Sequence, residues 1–441
     1  MMVRIDAGKC DYCGTCASVC ACDAVDVGAE SISVNERCTD CEICIKACPA
    51  GLGPNITAKT EERKPAGDNI PSVLNYDAVV VGAGPGGSLA AKTIADEGLK
   101  VLLIERNREV GVPLRCAEGV SKTDLLKFTE PDKKWISAET KGVKVFAPDM
   151  TGIVVEEEGY VLERRVFDKV LAKNAAKSGA DVLTGACATG VLKNGARIKG
   201  IKMHVAGENY EVYSKVVIGA DGIASCIGKW AGIDTTLRLF DVEACAQFLI
   251  SDIEVDEDYY EIYLNNRIAP GGYAWVFPKG RRRANVGLGI LASRASGAVD
   301  YLRRFVSKKF PDGRIVSTMI GGVPVSAPIE RTVCDGLILV GDAARQTDPL
   351  SGGGIVNAMH AGKMAGEVCA RAIRNGDVSA AALGEYERIW RETIGKTNER
   401  LYRIKELFVS LRDEDINESA HHYASEKERM GQIFEMFRGR V

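Results

Sequence analysis

Two runs of cysteine and one run of glycine stand out in this 441-residue chain as residues able to do chemistry. Cys10, Cys13, Cys16 and Cys20 are spaced C-x2-C-x2-C-x3-C; Cys38, Cys41, Cys44 and Cys48 repeat that spacing, and Pro49 follows the last. In a reducing compartment, thiolates this dense hold metal rather than pair as disulfides. Zinc ribbons use separated C-x2-C pairs, whereas here four cysteines fall within eleven residues, twice, so the spacing points to iron–sulfur clusters. The glycine run, Gly82-Ala83-Gly84-Pro85-Gly86-Gly87, is a G-x-G-x-x-G. Gly82 allows a tight turn, Gly84 lets a pyrophosphate approach the backbone, and Gly87 lets helix and strand pack closely. Glu105, 18 residues after Gly87, stands where an acid holds a ribose hydroxyl. A third feature is Tyr273, Trp275 and Phe277, aromatic at every second position and therefore on one face of a strand.

The elements needed to position these residues are legible around them. Ala78 to Val81 is a short β-branched run, the mark of a buried strand; Ser88 to Glu97 is Ala-rich and helical, Gly98 ends it, and Val101 to Ile104 is a second strand. Further strands are expected at 182–191, 200–205, 216–219 and 337–340, with a helix over 169–178. Gly352-Gly353-Gly354-Ile355 opens a helix running through Ala372. Residues 54–75 carry three prolines and no periodicity and read as a tether, although Ile70 to Leu74 equally suits an arm packed on the body. Residues 376–441 are charged and helical, with Leu401, Ile404, Leu407, Phe408 and Leu411 at helical spacing, and more weakly Ile433, Phe434, Met436 and Phe437. Arg281-Arg282-Arg283 reads as a solvated hairpin tip.

Composition sets the bounds. The chain is 46% apolar and 27% charged with a net charge of −3, which suits a soluble protein and gives no case for nucleic-acid binding. No apolar run approaches the ~18 residues of a membrane span, and the first residues lack a signal-peptide core. The expected location is cytoplasmic, peripheral at the inner face of the cell membrane. Nine of the 15 cysteines precede residue 49, and only four histidines occur, which counts against a histidine-rich metal site. Cys22, outside the repeated spacing, is expected to be a buried thiol. There is no second dinucleotide fingerprint, which argues against tight nicotinamide-cofactor binding.

Residues 1–58 resemble the bacterial two-cluster ferredoxins, in which the fourth cysteine of each run ligates the other cluster. By that resemblance Cys10, Cys13, Cys16 and Cys48 hold one [4Fe–4S] and Cys38, Cys41, Cys44 and Cys20 the other; Ala21 replaces the usual proline after the first run. Downstream, the order G-x-G-x-x-G, R-x-x-F-D (164–168), G-A-D-G (219–222) and G-D-A-A (341–344) resembles the hydroxybenzoate-hydroxylase-type FAD superfamily. That resemblance implies cofactor contacts from Gly82, Gly84, Gly86, Gly87, Glu105, Arg106, Arg164, the backbone at Ala188, Asp342, Gly353, Gly354 and Ile355. Two segments narrow it. Pro270 to Pro278 matches P-x-x-Y-x-W-x-F-P, and Arg115-Cys116-Ala117-Glu118-Gly119 matches a segment lying against the flavin. With IGKWAGI after the G-A-D-G they resemble the geranylgeranyl reductases, the archaeal phospholipid enzymes above all. This adds Cys116, Ala117 and Gly119 to the cofactor residues and implies Cys116, Tyr273 and Trp275 at the reaction site, with Cys116, Tyr273 or water as proton donor.

The expected fold is therefore α/β plus α+β. It comprises a ferredoxin domain (1–58), a linker (59–75), a discontinuous Rossmann-type FAD domain (76–140, 160–235, 325–375), an inserted antiparallel-sheet substrate domain (141–159, 236–324) and a helical C-terminal region (376–441). The expected activity is saturation of geranylgeranyl chains on an archaeal ether phospholipid precursor. A low-potential donor would load the clusters, which pass single electrons to FAD for release as a pair. The alternatives are an electron-transfer flavoprotein:quinone oxidoreductase-like protein, a non-catalytic electron-carrier module and an aromatic hydroxylase.

Overall fold

The computed structural model describes residues 72–424, together with Cys16, residues 25–27 and 32–34, and Cys44. In the N-terminal part, β1 (Val25–Val27) and β2 (Ile32–Val34) form an antiparallel pair, and Cys16 and Cys44 are buried. The other six proposed ligand cysteines and Cys22 lie outside the described residues, as do Ile433, Phe434, Met436 and Phe437.

Two eight-stranded sheets make up the body. The first begins with β3 (Ser72–Val81), then α1 (Pro85–Asp96) and β4 (Val101–Glu105). The second takes β5 (Gly119–Ser121), β6 (Ile136–Phe146) and β7 (Gly152–Leu162), after which α2 (Arg164–Lys177) returns the chain to the first. There it adds β8 (Asp181–Thr184), β9 (Ala186–Asn194), β10 (Arg197–Val205) and β11 (Glu208–Gly219). The second sheet then receives β12 (Val242–Ser251), β13 (Tyr259–Tyr263), β14 (Tyr273–Pro278) and β15 (Arg283–Leu291); α3 (Ala298–Lys309) leads to its edge strand β16 (Arg314–Pro324). Finally β17 (Val333–Cys334) and β18 (Leu337–Leu339) complete the first sheet, and α4 (Ile355–Asn375) and α5 (Lys396–Ser410) follow.

The first sheet runs β17-β18-β11-β3-β4-β8, parallel from β18 to β8, with the β9–β10 hairpin paired to β11. Its central strands are the apolar runs buried on both faces, as parallel strands covered by helices must be. Ala78, Val80, Val216 and Ile218 pack under α1 and α4; Val79, Val81, Val217 and Ile201 pack on the opposite side. The second sheet runs β16-β12-β15-β14-β13-β6-β7-β5, antiparallel except for β13 with β6. One face is covered by α3, against which Ala246, Phe248, Ala274, Val276, Val286 and Leu288 pack. The alternate residues of β12, β14 and β15 point to the other face.

Several boundaries differ from the sequence expectation. β3 starts at Ser72, pairing Ser72 with Tyr210 of β11, so residues 72–75 are strand rather than linker. The second sheet reaches beyond 141–159, to Ile136, Leu162 and the short β5. α2 begins at Arg164, five residues before expected, because its first turn is tied by main-chain bonds to Glu163. Arg281 and Arg282 occupy the exposed turn between β14 and β15. On α5, Leu401 is buried while Leu407 faces solvent, so the apolar stripe is only partly used.

Candidate functional site

The glycine run forms a cradle at the end of β3. Gly82 has a φ of +105°, and a side chain there would meet the Ala220 carbonyl oxygen at 2.3 Å. A Cβ on Gly87 would lie 1.9 Å from the Gly82 oxygen, so α1 sits against its own strand at a distance only glycine permits. Gly84 faces open space and caps α1 without a side-chain bond, leaving the first-turn N–H groups available to an anion. Glu105 closes the turn: its Oε2 accepts from the Ala83 N–H at 3.2 Å, and its Oε1 accepts from Asn107 N and Nδ2 at 2.9 and 2.8 Å. Asp221, next to Gly82, carries a buried Oδ1 without a partner among the described residues.

A second uncapped helix start lies at the other end of the same crevice. Gly354 precedes α4, and its Cβ would lie 3.3 Å from Asp342 Oδ1, which also accepts from Thr347 Oγ1 at 2.8 Å. Ala358 in the first turn of α4 joins the two ends, since its carbonyl would be 2.9 Å from a Cβ on Gly86 and its Cβ 3.2 Å from one on Gly341. Two helix N-termini, two carboxylates and a floor without side chains fit a dinucleotide with phosphates in the middle. Gly82, Gly84, Gly86, Gly87, Glu105, Asp342, Gly353, Gly354 and Ile355 are thus gathered. Ala188 sits on β9 opposite Met203, and Arg106 lies near enough to Asp221 to interact with its charge.

The segment 115–119 is fixed by a buried ion network. Glu118, only 2% exposed, has a φ of 75° and accepts from the Arg164 N–H through Oε1 at 2.8 Å. Its Oε2 accepts from Lys279 Nζ and Asn285 Nδ2, both at 2.8 Å. Lys279, 4% exposed, also donates to the Leu162 carbonyl at 2.6 Å and pairs with Glu163 at 2.5 Å. Asn285 Nδ2 also reaches the Ala117 carbonyl at 3.2 Å. Arg164 makes a two-pronged pair with Asp168, at 3.1 and 2.6 Å, and bonds the Cys116 thiol. Burial pushes the Cys116 thiol up and Arg164 pulls it partly back, so the group is a neutral thiol at neutral pH. Gly119 lies flat against the Phe277 ring, where a Cβ would be 2.7 Å from Cε2.

Facing this segment is the open side of the second sheet. β12 supplies Glu243, Cys245 and Gln247; β14 supplies Tyr273, Trp275 and Phe277; β15 supplies Asn285, Gly287 and Gly289. β16 adds Met319 and Gly321, opposite Gln247 and Cys245. Tyr273 and Trp275 have ring centroids 5.9 Å apart, and Trp275 and Phe277 6.3 Å, so the three aromatics share one face as their alternation requires. Trp275 lies over Gly287, where a Cβ would be 2.4 Å from its ring, and its indole N–H donates to Gln247 Oε1 at 2.8 Å. Gln247 Nε2 in turn donates to the Cys116 carbonyl at 3.4 Å, and Cys116 N–H points at Met319 Sδ at 3.0 Å. The Tyr273 hydroxyl donates to the Ser351 carbonyl, joining the aromatic strand to the loop before α4. The structure therefore brings Cys116, Tyr273 and Trp275 to one wall beside the α4 end of the crevice.

Two family models and several relatives match this arrangement. Residues 77–238 match "FAD dependent oxidoreductase" and residues 241–323 match "Geranylgeranyl reductase catalytic domain". The digeranylgeranylglycerophospholipid reductase of Methanothrix thermoacetophila is 52% identical over 361 residues, 80% of this chain and 92% of that protein. The chain belongs to the geranylgeranyl reductase family. The reductase of the same description from Methanosarcina mazei is also 52% identical, over 80% of this chain and 90% of its own length. Among solved structures, a geranylgeranyl bacteriochlorophyll reductase-like protein of Thermoplasma acidophilum matches with a TM-score of 0.77 and 39% identity, covering 79% of this chain and 91% of that one. A flavin-dependent brominase, at 19% identity and a TM-score of 0.65, shares the fold. This geranylgeranyl reductase family member is thus an FAD-dependent oxidoreductase acting on C=C bonds, and the crevice between Glu105 and Gly354 fits that cofactor.

In this reductase, Glu118 entered the sequence expectation only within the 115–119 segment, and the structural or site residues absent from it are Lys279, Glu243 and Gln247. The signal for the last two was present in β12: Glu243, Cys245 and Gln247 alternate with Ala244, Ala246 and Phe248. Polar residues at every second position of an otherwise buried strand mark a face that is not simple core. Lys279 and Glu118 are 161 residues apart, and no local pattern connects them. Among the described residues no helix is long and apolar enough to cross a membrane, and no group of three or more metal-ligating side chains occurs.

Proposed function

We propose that this reductase saturates the geranylgeranyl chains of a digeranylgeranylglycerol phospholipid, with electrons entering through two [4Fe–4S] clusters on Cys10, Cys13, Cys16, Cys48 and Cys38, Cys41, Cys44, Cys20. The substrate assignment is carried by the 52% identity to two archaeal reductases of that description over about nine-tenths of their length. The open sheet face supports it: Tyr273, Trp275 and Phe277 share one face, with Trp275 over Gly287, and make an aromatic wall suited to a thin isoprenoid chain. A lipid substrate requires contact with a membrane surface, and the exposed Ile315 and Val316 on edge strand β16 supply apolar side chains for a peripheral one.

Each of the gathered residues then has a task. The N–H groups after Gly84, with Gly82, Gly86 and Gly87, would receive the pyrophosphate of FAD, and Glu105 its adenosine ribose. Arg106 and the backbone at Ala188 would hold the adenine, and Asp342 the ribitol chain. Gly353, Gly354 and Ile355 would hold the ring system. Ala117, Gly119 and Arg164 would support Cys116 beside it. Bound reduced FAD supplies the electron pair that an isolated alkene needs. Tyr273 and Trp275 hold the alkene at that ring, excluding water from the reacting carbons.

The donor set and its repeat support the clusters: eight cysteines in two C-x2-C-x2-C-x3-C runs, of which Cys16 and Cys44 are buried. Placing a one-electron carrier on the same chain as the flavin raises its effective concentration. A direct comparison of acceptors tests the reading. Anaerobic, reduced protein given digeranylgeranylglycerol phospholipid should raise the lipid's mass in steps of two hydrogens, and a quinone should turn over slowly. Fast quinone reduction with unchanged lipid would reverse the assignment.

A further inference from the structure

Saturating a C=C bond needs a proton as well as electrons, and Glu243 is a buried acid beside the aromatic wall. Its carboxyl lies on the open face of the second sheet, on β12, two residues from Cys245 and four from Gln247, which binds both Trp275 and the Cys116 carbonyl. The carboxyl leans across β15 toward β14: a Cβ on Gly289 would be 2.6 Å from Oε2, and one on Gly272 3.4 Å from Oε1. Tyr273 pairs with Gly289 in register, so Glu243 sits beside the aromatic wall, on the side nearest the 351–354 loop that Tyr273 binds. It is 6% exposed, and among the described residues no donor hydrogen-bonds its carboxyl. A buried carboxylate in that situation is costly, so burial favours its neutral, proton-carrying form. Both glycines are what make room for it.

We propose that Glu243 is the catalytic proton donor of this reductase. The assignment rests on the proposed isoprenoid substrate. In the step, the Glu243 proton forms a new C–H bond at one alkene carbon. The neighbouring carbon receives the second hydrogen together with the electron pair of the reduced flavin. The C=C bond is thereby reduced by two electrons to CH–CH, and the Glu243 carboxylate regains a proton from water.

The neighbours do this less well. Tyr273 has its hydroxyl engaged by Ser351, and burial pushes its phenol well above the ordinary value. The Cys116 sulfur accepts the Glu118 N–H at 3.2 Å, and its thiol is also raised. Burial pushes Glu243 up to about 7, against a weaker downward pull from the Lys405 ammonium on α5. A donor poised near working pH is a far better general acid than a phenol or thiol several units weaker. The titratable groups facing it are Cys245 on β12, Tyr273 on β14 and Lys405 on α5; where it crosses β15 it meets Gly289.

Glu243→Gln and Glu243→Asp variants of the full-length protein, loaded with FAD, test this. Expected is normal flavin content and lipid binding in both. Glu243→Gln should lose roughly 100-fold or more in single-turnover lipid saturation, with partial rescue in Glu243→Asp. The wild-type rate should fall as pH rises through about 7, a limb that Glu243→Gln lacks. Infrared difference spectra, independent of turnover, should show a protonated carboxyl that ionises near neutral pH and is missing in Glu243→Gln. A Glu243→Gln rate within about threefold of wild type, or a carboxyl that ionises in the ordinary range, overturns the assignment while leaving the lipid reading intact. Wild-type protein that leaves the lipid unsaturated sinks the substrate reading itself, and this assignment with it.

Discussion

Replacing Lys279 by Met should unlock the segment that carries Cys116. Lys279 and Glu118 are 4% and 2% exposed, and the ammonium makes three contacts: Glu118 at 2.8 Å, the Leu162 carbonyl at 2.6 Å and Glu163 at 2.5 Å. Methionine keeps the apolar stem and removes the charge. Glu118 is then left buried with only the Asn285 amide and the Arg164 N–H, and Leu162 loses one donor. Breaking a buried pair in this way costs about 3–5 kcal/mol, a large share of the ~5–15 kcal/mol that holds a typical domain together. For a body this size that corresponds to a midpoint lower by about 4–7 °C. Adding Glu118→Gln removes the stranded charge, so the double variant should be more stable than Lys279→Met alone by about 2 kcal/mol. Thermal and denaturant melts followed by circular dichroism, with flavin content measured on the same samples, provide the readout. Lys279→Met should lose FAD more readily, because Glu118 holds Cys116 to Gly119 at the crevice. A loss under about 1 kcal/mol, or a double variant equal to the sum of the singles, would refute the reasoning.

Other consequences are equally open to measurement. Gly87→Ala puts a methyl 1.9 Å from the Gly82 carbonyl, so the variant should lose about 3 kcal/mol and purify without flavin, read by absorbance and melting. Glu243 has a folded pKa of about 7, above its ordinary 4.5, so the fold binds its proton more tightly than the unfolded chain does. That stabilisation is fully present below about pH 4.5 and is lost as pH rises to about 7, a change of up to ~3 kcal/mol that Glu243→Gln should abolish in denaturant titrations. Cys13→Ser should lower iron and acid-labile sulfide while leaving flavin content unchanged; a normal iron content would refute the ligand assignment.

The cradle was readable because its chemistry is local. Gly82 to Gly87, the helix after them and Glu105 lie within one strand–helix–strand unit, where each glycine answers a backbone requirement. The aromatic face of β14 was readable for the same reason, since strand alternation alone decides which way Tyr273, Trp275 and Phe277 point. The network around Glu118 was not, because it joins residues from β7, α2, the turn after β14 and β15 that only the paired sheets bring together. The start of β3 was only half legible, because Ile70 to Leu74 suit a packed arm as well as a tether, and only the length of β11, which pairs with Ser72 to Asn75, decides between them. Glu243 was overlooked by type rather than distance: a glutamate reads as surface unless the alternation along β12 is followed, which places it on the face of the aromatic wall.

The central claim is that electrons leave this flavin for an isoprenoid C=C bond. It is tested most directly by mixing anaerobically reduced, full-length protein with digeranylgeranylglycerol phospholipid and following flavin absorbance and lipid mass in the same time course. Flavin reoxidation at the rate at which two-hydrogen mass gains accumulate is the expected result. Flavin that stays reduced beside unchanged lipid would contradict it.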